Sequence, residues 1–161
     1  MTVEVTPNGS YGVRLPKLPG PLKRIFVFLN VRAFRLLANR VHPRGTHLLL
    51  LTTIGARTGL PRQTTLCGFE EGSESTGSRW LIVASSGGTA RHPAWYYNLA
   101  RHPEPVTVEV AGRRMQARAE SLQGQEREQA WARIVAQSPN YAGYQRRTDR
   151  VIPVVRLTPL D

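Results

Sequence analysis

The sequence is poor in features that would each indicate a particular class of protein. It has one cysteine, Cys67, among 161 residues, which excludes an internal disulfide and a cysteine-based zinc cluster. Its apolar runs fall well short of the roughly 20 residues that a membrane-spanning helix needs. The first residues are polar and interrupted by prolines, unlike a secretory signal. These absences predict a single cytoplasmic domain.

Acidic residues are missing from much of the first part of the chain. Between Val5 and Phe69 there is no Asp or Glu but there are ten Lys or Arg, so residues 1–69 carry a net charge of +9 once Glu4 is subtracted. The remaining 92 residues carry twelve basic and ten acidic side chains, a net charge of +2. This asymmetry predicts that the N-terminal third meets an anion, whether lipid, nucleic acid or a polyanionic cofactor.

Groups that carry chemistry on their own are also missing. No histidine or carboxylate spacing indicates a metal site, and no G-x-S-x-G or Ser/His/Asp arrangement indicates a nucleophile. The G-x-G-x-x-G and G-x-x-x-x-G-K-[ST] motifs are absent as well. A chain that lacks these groups but has glycine-rich candidate anion sites is expected to depend on a cofactor for its chemistry.

Hydrophobic periodicity divides the chain into three parts. Residues 1–20 are rich in proline and aperiodic, which predicts a flexible tail. Residues 21–42 place apolar side chains at helical spacing opposite basic ones, which predicts a basic amphipathic helix. Residues 43–161 contain short strands with inserted helices and no βαβ alternation, which favours an α+β fold with a mostly antiparallel, barrel-like sheet. The predicted strands are 47–53, 62–71, 80–85, 105–112, 113–121 and 151–157, and the inserted helices are 93–100, 123–137 and 139–147.

Three segments are candidates for ligand binding or chemistry. The turn 52-TTIGARTGLPRQTT-65 has glycines that permit a backbone nest and arginines that match phosphate oxygens, although a hairpin turn with solvated arginines fits equally well. In 84-ASSGGTARHPAWYYNLARHP-103 a strand, two glycines and a helix N-terminus follow one another, with core packing of its aromatics as the alternative. In 141-YAGYQRRTDR-150 two tyrosines share a helix face, where they can donate a proton or pack on the barrel.

Four segments, in their order and spacing, resemble the deazaflavin (F420)-dependent nitroreductase family. They are 48-LLLLTTIGARTGLPRQTTL-66, 81-LIVASSGGTARHPAWYYNL-99, 103-PEPVTVEV-110 and 140-NYAGYQRRTDRVIPVV-155. The resemblance implies an α+β split β-barrel of the FMN-binding type that uses coenzyme F420. It also implies hydride transfer from the reduced deazaflavin to an electrophilic acceptor, which is a quinone, an enone or a nitro compound.

The resemblance further implies which residues form the site. The turn is expected to hold the phosphate and oligoglutamate tail of the cofactor through Gly55, Ala56, Arg57, Thr58, Gly59, Pro61 and Arg62. The serine-glycine segment is expected to lie along the deazaflavin ring through Ser85, Ser86, Gly87 and Gly88. The helix that follows is expected to cap the phosphoester region through Ala94, Trp95 and Asn98. The groups expected to donate or orient a proton are Tyr144, Tyr141 and Ser85.

Several alternatives remain open from the sequence. A noncatalytic deazaflavin carrier would share every cofactor residue, and a split barrel can also hold FMN or haem. A nucleic-acid-binding protein fits the charge, but no nucleic-acid motif or aromatic platform is present. The basic helix fits either peripheral contact with anionic lipid on the inner face of the cell membrane or packing over the barrel with solvated arginines. The oligomeric state is open, with a homodimer as one option.

Overall fold

The computed structural model of this protein describes residues 2–37, 46–72 and 79–160. Over these ranges the chain forms four α-helices, six β-strands and one short 3-10 turn at Ser86–Gly88. In chain order the helices and strands are α1 Gly20–Leu37, β1 Thr46–Ile54, β2 Pro61–Glu71, β3 Arg79–Val83, α2 Ala94–Arg101, β4 Val106–Val110, β5 Arg113–Ser121, α3 Gly124–Gln137, α4 Asn140–Arg146 and β6 Val154–Pro159.

The six strands close into one antiparallel barrel in the order β1-β2-β3-β6-β5-β4, with β4 pairing back to β1. Leu49 and Leu51 of β1 are fully buried in the main core. Leu50 belongs to a separate cluster, where it packs with Phe34 of α1. The apolar run in β1 is therefore continuous because both faces of the strand are covered. The predicted α+β barrel with inserted helices is confirmed.

Strand β2 is only partly paired on its β3 side. It pairs with β1 from residue 61 to residue 69, whereas its ladder with β3 spans residues 68–71. The first half of β2 therefore presents a strand edge in the described part of the chain. Because neighbouring strands run antiparallel, this edge lies at the barrel end where β1 and β3 finish and β2 and β6 begin.

Strand β3 ends at Val83, earlier than the predicted end at residue 85. The carbonyls of Ala84 and Ser85 accept hydrogen bonds from the side chain of Arg150 instead of a neighbouring strand. The amide of Ala84 still donates to the carbonyl of Pro153 at 3.0 Å, but with both carbonyls bonded to Arg150 the ladder ends and the chain turns away from the sheet.

Strand β6 begins at Val154, later than the predicted start at residue 151. The backbone of Ile152 is bonded to side chains. Its amide donates to Gln145 Oε1 at 3.1 Å, and its carbonyl accepts from Arg127 Nη2 at 2.7 Å. The residues before β6 are consequently held by helix side chains rather than by strand pairing.

The segment before α1 contains no helix or strand among its described residues, as the sequence predicts. It is nevertheless fastened to the barrel at defined points. The amides of Gly9 and Val13 donate to the carbonyls of Ala90 and Gly88 at 2.8 and 2.9 Å. Residues 2–13, which we call the N-terminal strap, therefore cross the barrel end beside the second glycine-rich segment.

Helix α1 lies on the barrel mainly through Phe34, which is buried. Many of its other apolar side chains are exposed, namely Leu22, Ile25, Phe26, Phe28, Leu29 and Leu36. The described helix begins at Gly20 and ends at Leu37, and the remainder of the predicted helix lies outside the described residues. No helix in the described ranges is both long enough and apolar enough to cross a membrane.

A group of paired charges lies where β2, β5 and β6 meet α3. The guanidinium of Arg156 bonds to the carboxylates of Glu71, Glu120 and Glu126, and Arg133 also bonds to Glu71. Burial acts to raise the pKa of Glu71, but the hydrogen bonds and charges of the two arginines outweigh it and hold this pKa below its usual value. We call these five residues the arginine–glutamate cluster.

Candidate functional site

The first predicted segment forms the tight turn between β1 and β2. The amides of Thr58 and Gly59 donate to the carbonyl of Gly55 at 3.1 and 2.8 Å, and the amide of Gly55 donates to the carbonyl of Leu60 at 2.9 Å. Gly59 has a φ of +66°, a conformation that favours glycine. These backbone donors are used within the turn, so a bound anion would be held chiefly by side chains.

Asn98 of α2 fastens this turn to the barrel. Its Oδ1 accepts from the amide of Ala56 at 2.9 Å, and its Nδ2 donates to Thr53 Oγ1 at 3.0 Å. The Asn98 side chain is buried. The structure therefore places Asn98 behind the turn, where its amide positions the backbone.

The two arginines of the turn are exposed. Neither Arg57 nor Arg62 forms an ion pair with a carboxylate of the described residues. Arg62 Nη2 donates to Thr58 Oγ1 at 3.2 Å, which holds this guanidinium beside the turn. Pro61 begins β2 and is exposed as well. The turn thus presents two positive charges that the described protein does not neutralise.

The second predicted segment forms a turn with three consecutive residues in the left-handed region. The φ values of Ser86, Gly87 and Gly88 are +45°, +66° and +86°. A Cβ on Gly88 would lie 2.6 Å from the carbonyl oxygen of Tyr144, so α4 can approach only a glycine here. Ser86 is strained by roughly 1 kcal/mol or more, and such strain concentrates at functional sites. Ser85, just before the turn, is buried.

Arg150 holds this turn from the interior of the protein. Its Nη2 donates to the carbonyls of Ala84 and Ser85 at 3.1 and 2.8 Å, and its Nε donates to the carbonyl of Thr89 at 2.8 Å. The residue is 3% exposed, and burial lowers the pKa of its guanidinium. Arg150 could not be recognised from the sequence, because only its contacts distinguish it from the other basic residues.

The amides of the turn are divided between two uses. Those of Gly88 and Thr89 donate to the carbonyls of Ser85 and Ser86 at 2.9 and 3.3 Å and close the turn. The amides of Ser86 and Gly87 form no hydrogen bond with any described residue. Two backbone donors are therefore available for the carbonyl or anionic edge of a ligand.

Helix α2 contributes mainly support to the site. Trp95 lies in the barrel core, whereas Ala94 is exposed. Tyr96 is fully buried, and its Oη donates to the carbonyl of Glu4 in the N-terminal strap. Of the three α2 residues that the resemblance implies, Ala94 alone lies on the surface, while Trp95 packs beneath it.

Tyr144 of α4 lies beside the left-handed turn. Its carbonyl oxygen is the atom that the missing Cβ of Gly88 would meet. The guanidinium carbon of Arg147 is 5.8 Å from the centroid of the Tyr144 ring. The structure therefore brings the tyrosine segment and the serine-glycine segment together, as their predicted roles require.

Tyr141 lies deeper than Tyr144. Its ring packs against Phe69 and Trp131, with centroid distances of 5.5 and 6.5 Å. Burial, with the neighbouring Cys67 and Tyr144, raises the pKa of Tyr141 far above its usual value. Burial likewise raises the pKa of the Cys67 thiol. Tyr141 is thus suited to packing and orientation, and Tyr144 is the better candidate proton donor.

A groove of about 810 Å³ runs between the segment before α1, helix α1 itself and the open edge of β2. Its volume is in the range of small-molecule sites. Its lining includes Lys17, Lys23, Phe26, Val27, Thr64 and Thr65. The sequence analysis did not assign this groove, because its walls come from segments that are far apart in the chain. The exposed apolar and basic residues of α1 were its only signal.

These features together fit a large anionic ligand that has a planar part. Residues 55–62 supply two unneutralised cations, and the turn at residues 85–88 supplies unoccupied amides. The groove has apolar and polar side chains on its helix side and polar ones along β2. A deazaflavin with a phosphate and glutamate tail has the chemistry that such a site would bind.

Comparisons with known proteins agree with this chemistry. The sequence profile of the F420H(2)-dependent quinone reductase family matches residues 30–159. An F420H(2)-dependent quinone reductase of Mycobacterium tuberculosis is 41% identical over 113 residues, which is 68% of this chain and 72% of the relative. A solved F420-H2-dependent reductase, FDR-A, is 38% identical with a TM-score of 0.59 and covers 73% of this chain and 98% of its own.

A second solved structure, described as a domain-swapped dimer, is 32% identical with a TM-score of 0.60 and covers 86% of this chain and 99% of its own. The comparisons confirm coenzyme F420 as the predicted cofactor and an F420-dependent oxidoreductase as the predicted class of enzyme. The chain belongs to the F420H(2)-dependent quinone reductase family.

Proposed function

We propose that this protein transfers a hydride from reduced coenzyme F420 to a quinone at the barrel end described above. The observation that carries the proposal is the combination, at one barrel end, of the unneutralised arginines Arg57 and Arg62 with backbone amides of Ser86 and Gly87 that bond to no described residue. The name of the M. tuberculosis relative supports a quinone, rather than an enone or a nitro compound, as the acceptor.

The turn between β1 and β2 binds the acidic tail of the cofactor. Arg57 and Arg62 form charge-assisted hydrogen bonds to phosphate and carboxylate oxygens, which a planar guanidinium matches well. Thr58 orients Arg62. Asn98 acts through the amide of Ala56, which keeps the turn in place on the barrel.

The turn at Ser85–Gly88 binds the ring system through the amides of Ser86 and Gly87. Gly88 allows the backbone of α4 at Tyr144 to approach the turn closely, so Tyr144 would be within reach of a ring held there. When bound, reduced coenzyme F420 supplies the hydride.

Tyr144 supplies the proton that completes the reduction. A quinone that accepts one hydride also takes up one proton to become a hydroquinone, and the phenol of Tyr144 donates it and is reprotonated from solvent. The guanidinium of Arg147 lies over the Tyr144 ring, where it helps to hold the ring in place. Tyr141 and Ser85 orient this group from the interior.

Titration of the protein with coenzyme F420, followed by the fluorescence of the coenzyme, tests the cofactor site. We expect saturable binding at micromolar concentrations, and the absence of binding would reject the proposal. Reduced coenzyme should then be oxidised by the protein only when a short-chain quinone is added. Tight binding of the reduced coenzyme with no oxidation by any acceptor would identify a carrier instead.

We propose further that the chain is organised as an N-terminal strap, a basic helix and a barrel domain. In this organisation, α1 contacts anionic lipid. The exposed apolar side chains of α1 lie on the same helix as Lys23 and Arg32, and its first turn has no acidic residue. This composition is typical of an interfacial helix. Sedimentation with anionic vesicles should carry down the full chain but not a variant lacking residues 1–40, and neutral vesicles should retain neither.

We also propose a homodimer, in which the exposed side chains of α1 would contact a second copy of the chain instead of lipid. The relative described as a domain-swapped dimer covers most of this chain. Light scattering at several protein concentrations measures the mass directly. A dimer that disappears when residues 1–40 are removed would support exchange through this helix, and a monomer at every concentration would reject it.

A further inference from the structure

We propose that Arg150 is a positioning residue of the cofactor site, which keeps the amides of Ser86 and Gly87 available by holding the neighbouring carbonyls toward the interior. The inference rests on the function proposed above, because it concerns the turn that would bind the deazaflavin ring. No resemblance or comparison assigns Arg150 a role.

The bonds of Arg150 enclose the turn from both sides. Two of its acceptors, the carbonyls of Ala84 and Ser85, precede the left-handed residues, and the third, the carbonyl of Thr89, follows them. A guanidinium can reach acceptors in several directions because its donors lie in a planar fork. Lysine, with one nitrogen, cannot span the same three oxygens in this geometry.

Stability does not explain why Arg150 is buried, because its position is unfavourable for the free energy of folding. No carboxylate of the described residues forms an ion pair with it, and a buried cation without a counter-ion is unfavourable. Besides the carbonyls, its remaining partner is the neutral ring nitrogen Nδ1 of His92 at 3.0 Å. That ring is fixed in turn by the carbonyl of Thr6 in the strap at 2.8 Å. Such an arrangement secures a backbone conformation rather than a charge pair.

The conformation that Arg150 secures is one that the chain would not keep by itself. Ser86 is not a glycine, yet its φ is +45°, so the turn relaxes unless its flanks are held. A change at Ser86 or Gly87 would rotate the peptide groups that carry the unoccupied amides. The Arg150 side chain therefore acts on the cofactor through the turn, without touching it.

The test compares R150K and R150M with R127K. Arg127 is a matched control because it is also buried, at 8% exposure, and donates to a backbone carbonyl, that of Ile152. We expect R150K to raise the Kd for coenzyme F420 about tenfold, R150M to raise it more, and both to alter the absorbance spectrum of the bound coenzyme. R127K should lose some stability in urea but keep the Kd and the spectrum of the unchanged protein.

Amide hydrogen exchange tests the turn directly, in the unchanged protein and in R150K. In the unchanged protein, addition of coenzyme F420 should slow exchange at Ser86 and Gly87. In R150K, exchange across residues 85–89 should be faster without the coenzyme. A folded R150K with unchanged Kd, spectrum and exchange would overturn the inference, and so would unprotected amides in the unchanged protein with coenzyme bound. Failure of the unchanged protein to bind the coenzyme would instead reject the proposed function.

Discussion

Two arginines in this barrel are almost equally inaccessible to solvent but have opposite surroundings. Arg156 is 8% exposed and lies among the carboxylates of the arginine–glutamate cluster. Arg150 is 3% exposed, and among the described residues its guanidinium bonds only to carbonyl oxygens and a neutral imidazole. The first arginine joins strands and a helix through ion pairs, and the second holds a strained turn.

The same contrast extends to the regions around the two arginines. Around Arg156, opposite charges are matched within the protein. At the barrel end near Arg150, the cations of Arg57 and Arg62 have no acidic partner in the described ranges. Under the proposed function, a ligand of opposite charge neutralises Arg57 and Arg62. The difference would then separate residues expected to stabilise this fold from residues proposed to serve its site.

The largest effect should follow from breaking the matched region. Replacement of Arg156 by Met leaves Glu71 half-buried with Arg133 as its remaining partner, and we expect it to lower the free energy of unfolding by about 3–5 kcal/mol. Urea unfolding measures this loss. The Kd for coenzyme F420 should not change in the folded variant. E126Q is the milder control, since Glu126 is largely exposed. If R156M changed the Kd for coenzyme F420 as much as a site variant does, the separation between stabilising residues and site residues would be refuted.

The next largest effect concerns turnover at the unmatched end. Replacement of Tyr144 by Phe should reduce kcat for quinone reduction about 100-fold, because the proton donor is lost. The Kd for coenzyme F420 should stay within about twofold, since the ring still packs against Tyr141. Replacement of Tyr141 by Phe is the comparison variant: because Tyr141 only orients Tyr144, we expect a smaller loss of kcat than in Y144F, together with some loss of stability. Equal losses of kcat and affinity in Y144F would contradict a catalytic role.

A smaller effect is expected when the unmatched cations are removed. R57Q and R62Q should each raise the Kd for coenzyme F420 about tenfold, because each removes a charge-assisted hydrogen bond. Their free energies of unfolding should change by less than about 0.5 kcal/mol, since both residues are exposed. R118Q, at an exposed arginine of β5, controls for net charge. A similar loss of affinity in R118Q would show that only overall charge matters.

The smallest expected effect is on the pH dependence of stability, where the two regions should lose stability at different pH values. Burial and the charge of Arg150 lower the pKa of His92 below its usual 6.5, so the unfolded chain binds the proton more readily and stability falls as pH drops below 6.5. Glu71, whose pKa is held below 4.5, contributes stability that is lost as pH falls below 4.5. Unfolding measured from pH 8 to 3 should show both losses, and H92Q should lack the first. An unchanged first step in H92Q would exclude His92 as its source.

Much of the fold could be predicted because its determinants are local. Apolar runs and alternation predicted the strands. The predicted boundary between the fourth and fifth strands falls at Gly112, which lies in the hairpin between β4 and β5 with a φ of +73°. The preceding Ala111 also has a positive φ, +50°, which no local preference indicates for alanine. The start of β6 and the end of β3 were misplaced for a related reason, since side chains distant in sequence capture their backbone groups.

The candidate site divides in the same way. The two glycine-rich turns were found from their composition, because left-handed conformations and close approaches demand glycine wherever they occur. The groove, the strap and Arg150 were not found, since each depends on contacts between residues far apart in the chain. Their roles in binding and catalysis remain predictions that the experiments above address.

Local patterns in the sequence were sufficient to predict a cofactor-dependent α+β barrel with a basic N-terminal part, because composition, periodicity and motif spacing are properties of neighbouring residues. Which charges are matched, in contrast, depends on the folded chain. Arg150 and Arg156 are alike in sequence, but the closure of the barrel brings carboxylates to Arg156 and backbone carbonyls to Arg150. Because both arginines are buried, this difference matters for their energy: a cation removed from water is stabilised only by the groups that the fold places around it.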